Sequence, residues 1–250
     1  MSDSLPLASF PETRSGQWRP GLSGTASLHG EIFASGQEAG GAALALVLAL
    51  DRIGAAGQDP LAEACDQRAW LWVQDAAARK LTGRPFRPGL PARLRHRLIH
   101  VAARTPEEAL FALEEGVRCR ELAFVVGEIA GNPKALDFTA SRRLSLAAER
   151  HGVPLWLVRI DAARDLSSAR MRWQVHSAPS PPPRWNSEAP GIPSWRAELF
   201  RARSHLPGTW ILRDDGSALV AAPSPASRSP DAPHPGDLAA SAGDRSLAAR

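Results

Sequence analysis

The sequence predicts an α/β fold: a mainly parallel β-sheet flanked by helices, closed by a C-terminal β-hairpin. Three observations carry this. From Ser27 to Arg159 short apolar runs alternate with stretches of helical period. One run, ELAFVV (121–126), is nearly continuous, as in a strand buried on both faces. Beyond Arg164 the pattern changes to strand alternation around a Pro-Gly turn.

The elements follow in order. SLHGEIFA (27–34) is the first strand, and Gly40 to about Ala55 the first helix. RAWLWVQ (68–74) and RLIHVA (97–102) are the next two strands. Thr105 then caps a helix with Pro106 at its first position and Glu108 completing a T-x-x-E box. After ELAFVV comes a helix from about Thr139 to His151, ended by Gly152 with Pro154 beyond. PLWLVR (154–159) is the fifth strand. Five strands joined by helical crossovers form right-handed βαβ units. ARMRWQVHSA (169–178) and WRAELFRARS (195–204) read as further strands, the second turning through HLPG into TWILRDD. These elements define a domain over residues 23–220, with a proline-rich loop at 178–193. Residues 1–22 read as a flexible lead-in. Residues 221–250 have almost no large apolar side chains to offset the entropy of ordering, so a disordered tail is expected.

Composition narrows the function classes. The chain has 30 Lys and Arg, only Lys80 and Lys134 being lysine, against 26 Asp and Glu. Arginine binds phosphate bidentately and stacks on bases. An excess of Arg, Ala, Pro and Gly with no tyrosine is equally what a GC-rich genome writes, so composition alone establishes no nucleic-acid partner. The longest apolar run, Ala42–Leu50, stops at Asp51 and is too short for a membrane span. No basic segment precedes an apolar one near Met1, so a cytoplasmic location is expected. Cys65 and Cys119 are isolated thiols, and His96, His100 and His151 lack ligand spacing, so no metal site is expected. No nucleophile elbow or paired-acid pattern appears.

The motif that raises a functional question is ASGQEAGGAALAL (34–46). Gly36 and Gly41 have the spacing of a phosphate-binding loop, G-x-x-x-x-G-K-[ST]. Ala42 and Ala43 stand where the lysine and hydroxyl belong, behind Gly40, and Glu38 adds a negative charge inside the loop. The strand ELAFVV should deliver a metal-supporting aspartate, but Gly127 stands there with Glu128 one step on. Asp75 follows the WLWV strand. Losing a transition-state charge contact costs on the order of 3 kcal/mol, and several losses fall on one site. Rapid ATP hydrolysis is therefore not expected, nor is a cofactor. A turn that merely contains glycines explains this segment as well as a vestigial nucleotide loop does.

Taken together, the pieces resemble a RecA-fold protein without its catalytic groups. GEIFASGQEAGGAALAL resembles the strand, loop and helix that open that core. More specifically, LHGEIFASG, LWVQDAAARKLTGRPFRPGL, RTPEEALFALEEGVRCRELAFVVGEIAG, LDFTASRRLSLAAERHGVPLWLVR and WRAELFRARSHLPGTWIL are similar to the ImuA family of bacterial mutagenesis cassettes. The resemblance covers roughly residues 27–213. It implies a non-catalytic role in SOS-induced translesion DNA synthesis, beside an ImuB-like protein and an error-prone polymerase subunit, and leaves contact with RecA and with DNA open. It also implies Gly36, Glu38, Gly40, Gly41, Ala42 and Ala43 as a vestigial nucleotide loop, and Gly127 and Glu128 as a vestigial metal-binding strand end. Two departures argue against RecA-type filaments. The connection after Arg159 is about nine residues, where RecA has a long DNA-gripping loop, and the lead-in lacks a long helix.

Candidate DNA or partner contacts are Arg142, Arg143, Arg196, Arg201, Arg203 and Trp195, each weighed against an ordinary surface or packing role. ARLRHRLIH (92–100) is a basic stretch that suits either phosphate or a solvated connector. Trp70, Trp72 and Trp156 are expected in the core. Two other readings stand: a nucleotide-binding RecA-type ATPase with atypical catalytic groups, and an SOS cell-division inhibitor of the SulA type.

Overall fold

The computed structural model of the chain describes residues 28–56, 67–183, 186, 188–203, 206–214 and 219–223. The lead-in 1–22, Cys65 and the tail past 223 lie outside the described residues.

The strands are β1 (His29–Ala34), β2 (Ala69–Gln74), β3 (Leu98–Ala102), β4 (Leu122–Ala130), β5 (Leu155–Ile160), β6 (Met171–Ser177), β7 (Ser194–Ala202), β8 (Gly208–Asp214) and β9 (Leu219–Pro223). The helices are α1 (Gly40–Ala56), α2 (Ala76–Thr82), α3 (Ala92–Arg95), α4 (Pro106–Arg118) and α5 (Phe138–His151), with a 3₁₀ turn at Arg87–Gly89. All nine strands form one sheet, in the order β3-β2-β4-β5-β1-β6-β7-β8-β9. The pairings from β3 across to β6 are parallel. Those from β6 to β9 are antiparallel.

Every strand and helix of the sequence reading is present. Thr105 caps α4 by accepting from the Glu108 amide. Glu108 does not close the box on Thr105; its carboxylate takes the Arg104 amide at 2.9 Å and the Arg104 side chain instead. Gly152 ends α5 with φ 74°, a conformation that only glycine adopts without strain. Three features were not anticipated: α2, the short α3, and β9, which carries the sheet past residue 220.

Two apolar layers cover the sheet. On one face α1, α2 and α3 pack over Ile32, Trp70, Trp72, Phe124, Trp156 and Val158, and this layer runs on through Trp173, Trp195 and Leu212. On the other, α4 and α5 pack over Leu71, Val73, Val125, Leu155 and Leu157. The parallel step from β5 to β6 uses no helix. Residues Asp161 to Arg170 pass over the edge of β1 on the α5 face.

That crossover is held by polar contacts. Ser167 donates to Glu31 at 2.7 Å, and Ser168 lies 2.6 Å from Ser145 of α5. Beneath it Glu31 is fully buried and accepts from Arg172 Nε at 2.7 Å, with Arg159 at 3.9 Å. Asp165 reaches Arg159 at 3.4 Å. His29 completes the patch, its Nδ1 lying 2.7 Å from Ser145 Oγ. A charge buried alone costs several kcal/mol, so these residues form one mutually dependent cluster.

Candidate functional site

The loop between β1 and α1 opens a cavity of about 470 Å³ at the C-terminal ends of the parallel strands. This is where open parallel sheets place ligands. One wall is the loop and the start of α1; the opposite wall is the segment from Leu81 to Leu90. Leu46, Val158 and Ile160 make its interior largely apolar.

The loop is short, and its first amides are engaged. Gly36 N donates to Asp161 Oδ1 at 2.9 Å, Gln37 N to Ser35 Oγ, and Glu38 N to the Ser35 carbonyl. Asp161 sits just past β5 with φ 49°, a left-handed conformation that aspartate tolerates better than most residues. The Asp161 carboxylate thus ties the start of the loop to the end of β5. Glu38 turns outward, accepting from Ser177 N at 2.6 Å and lying 3.7 Å from His176. The Ser177 amide holds its carboxyl below the usual range.

Gly41 has a packing reason to be glycine. A Cβ there would lie 2.6 Å from Ala34 Cβ and 2.9 Å from Val158 Cγ1, because α1 starts directly against β1 and β5. Ala42 and Ala43 follow on the cavity wall and bring neither cation nor hydroxyl.

The two residues assigned to a vestigial metal-binding strand end separate in the structure. β4 continues through both, so they point to opposite faces. A Cβ on Gly127 would meet Leu113 of α4 at 2.8 Å and Leu157 at 3.0 Å, so position 127 faces the α4 layer and not the cavity. Glu128 faces the cavity, almost fully buried. It accepts hydrogen bonds from Trp72 Nε1 (2.8 Å), Gln74 Nε2 (3.1 Å) and Thr82 Oγ1 (2.8 Å). Burial raises its pKa, against the pull of those three donors. His100 extends the chain, its Nε2 lying 2.9 Å from Gln74 Oε1. Asp75 does not enter the cavity; it caps α2 by accepting from Ala78 N at 2.6 Å.

The remaining candidates scatter. Arg143 pairs with Glu114 of α4 at 3.3 Å, and Arg142 is an exposed neighbour on α5. Arg196, Arg201 and Arg203 are exposed on or just after β7. Trp195 is a correction: it is buried, within 3.4 Å of where a Gly40 Cβ would sit, because β7 turns that side chain under the start of α1. It offers no surface to a partner. Trp70, Trp72, Trp156 and Trp173 are buried as well.

Sequence reasoning missed Asp161, Gln74 and Thr82. Each is an ordinary polar residue at an element end, and only the pairing of distant strands assembles them. Among the described residues no group of three His, Cys, Asp or Glu could hold a metal, and no helix is long and apolar enough to cross a membrane.

Fold and site together define a class: parallel α/β proteins whose first strand–loop–helix unit keeps the glycine spacing of a phosphate-binding loop without its lysine and hydroxyl. No family model matches the chain. Over 179 residues the chain is 35% identical to Protein ImuA of Caulobacter vibrioides, in strains NA1000 and CB 15 alike, an overlap covering 66% of this chain and 65% of each relative. The chain is thus similar to ImuA proteins over most of its described fold. It spans just under two thirds of the length of these relatives.

Proposed function

We propose that this chain is a non-catalytic, RecA-like accessory protein in SOS-induced, error-prone translesion DNA synthesis. It acts in the cytoplasm through contacts with an ImuB-like protein and the associated polymerase subunit, with RecA as a further partner. Kinship with ImuA supports the setting. The observation that carries the non-catalytic part is the state of the loop. Ala42 and Ala43 replace the charge and the hydroxyl that phosphoryl transfer needs. Glu128, held toward its neutral form, is poorly suited to support a metal ion.

Two measurements test the reading. The purified protein should release no phosphate from ATP, and millimolar Mg-ATP should leave its Tm unchanged. Co-expressed with an ImuB-like protein from the same cell, it should co-purify as a stable complex. ATP hydrolysis abolished by Glu128→Gln would overturn the non-catalytic role, and absence of any complex would overturn the accessory role.

A further inference from the structure

The cavity wall opposite the loop has a charge bias found nowhere else in the described chain. Between Asp75 and Glu107 lie eight basic residues and no acidic one. Among the described residues, Arg79, Lys80, Arg84, Arg87, Arg93 and Arg95 have no carboxylate within ion-pair distance. Arg104, at the end of this stretch, pairs with Glu108, and elsewhere Arg118, Arg143, Arg164 and Arg170 pair with glutamates. Exposed arginines without an acid occur elsewhere too, among them Arg120, Arg142, Arg150, Arg196 and Arg201. What sets α2, the 3₁₀ turn and α3 apart is that their cations share a stretch with no acidic residue at all.

These cations belong to the segment that forms the cavity wall, Leu81 to Leu90, and to the helices that flank it. Arg84 lines the cavity directly. Arg79, Arg84 and Arg87 lie close enough to His100 to add to the burial that lowers its pKa. Arg79 Nη1 is buried with no hydrogen-bond partner. Among them stand two exposed apolar side chains at the rim, Phe86 (73% exposed) and Leu81 (49%). Inside, the lining is largely apolar, and Glu128 has its hydrogen bonds filled. Charge belongs outside on the rim and apolar bulk inside.

We propose that the cavity and its rim form a docking site for an acidic peptide segment of a protein partner. One large apolar side chain of that segment fills the cavity, and its flanking carboxylates meet Lys80, Arg84, Arg87 and Arg93. This rests on the accessory reading above and gives its contact a place and a chemistry. The arrangement is that of a binding hot spot, an apolar anchor in a pocket ringed by charges that fix register and speed encounter. Single-stranded nucleic acid would answer the same charges and could stack on Phe86, but it would leave the apolar cavity unused.

Fluorescence anisotropy on the full chain tests this with labelled ten-residue peptides of Asp and Glu carrying a central Trp or a central Ala, and with a dT20 oligonucleotide. The Trp peptide should bind at least ~10-fold more tightly than the Ala peptide, about 1.4 kcal/mol. Ala42→Phe, which fills the cavity, should erase that preference. The exposed pair Lys80→Glu/Arg84→Glu should weaken both peptides more than ~10-fold with an unchanged Tm. Equal binding of the two peptides overturns the proposal. So does dT20 binding more tightly than either peptide with a dependence on Phe86→Ala, which would make the surface a nucleic-acid site. Co-purification of the two variants with an ImuB-like protein separates the two levels. A complex that survives both variants refutes the site and keeps the accessory role; a wild-type complex that never forms refutes the role.

Discussion

Gly41→Ala adds one methyl group at the start of α1. Its Cβ would sit 2.6 Å from Ala34 Cβ and 2.9 Å from Val158 Cγ1. Carbon atoms prefer about 3.5–4.0 Å, so the overlap is close to an ångström on two sides. Neither neighbour can swing away: alanine has no rotamer to change, and Val158 is β-branched on a central strand. Overpacking of this kind costs about 1–3 kcal/mol. Replacing glycine by alanine in a helix returns roughly 0.5–1 kcal/mol. Overpacking wins, and the net loss is about 1–2 kcal/mol. At ~2–4 °C per kcal/mol for a domain of this size, Tm should fall by about 2–8 °C. Thermal melts followed by near-UV circular dichroism, with and without Mg-ATP, are the assay. Ala34→Gly in the same chain removes the nearer contact and should recover part of the loss, a coupling of about 1 kcal/mol in a double-mutant cycle. A Gly41→Ala protein as stable as wild type, or an Ala34→Gly change that restores nothing, would refute the packing explanation.

Three further outcomes are expected. Burial holds the His29 pKa down to about 4, so the unfolded chain takes up the proton first; stability should fall as pH drops below about 6.5 and stop falling near 4, by on the order of 3 kcal/mol. Urea midpoints at pH 7.5 and 5 measure this loss, and His29→Gln should flatten it. Glu128→Ala strands the donors of Trp72, Gln74 and Thr82 and should cost about 3 kcal/mol or more in urea denaturation, with Glu128→Gln costing less. Because its pKa is raised, the wild-type Glu128 weakens the fold as pH rises through the upper carboxylate range, and Glu128→Gln should remove that slope. Arg172→Met leaves Glu31 buried with the Ser167 hydroxyl and the more distant Arg159 guanidinium and should cost about 3–5 kcal/mol, while Glu31→Leu combined with Arg172→Met should cost less than Arg172→Met alone.

The strand–helix alternation was legible because strands buried on both faces leave long apolar runs, and because Thr105 and Gly152 mark helix ends by local chemistry. The length of β4 was not, since Gly127 and Glu128 break its apolar run for reasons that lie elsewhere: Leu113 presses on one and three donors from β2 and α2 satisfy the other. α2 has only seven residues, too few for a period to show, although its cap Asp75 was visible. β9 (LVAAP) pairs with β8 alone and lacks the bulk that marks a strand. Trp195 alternates with arginine, and only the position of α1 decides which way it points. The loop glycines were visible in the sequence, but their packing role needed the distances to Ala34 and Val158.

The placement of β1 has a consequence for the birth of the protein. It lies between β5 and β6, with Gly30 opposite Trp156 on one side and Met171 on the other. β1 therefore waits for neighbours made more than 120 residues later, roughly 6 to 25 s at ordinary synthesis rates. Through that interval α1 has neither β5 nor β6 to cover, although it also packs on β4. A nascent chain that stops before β5 has no cavity and no crossover, so its exposed helix is a target for chaperones and proteases. Synthesis through β6 becomes the step that seats β1 in the sheet.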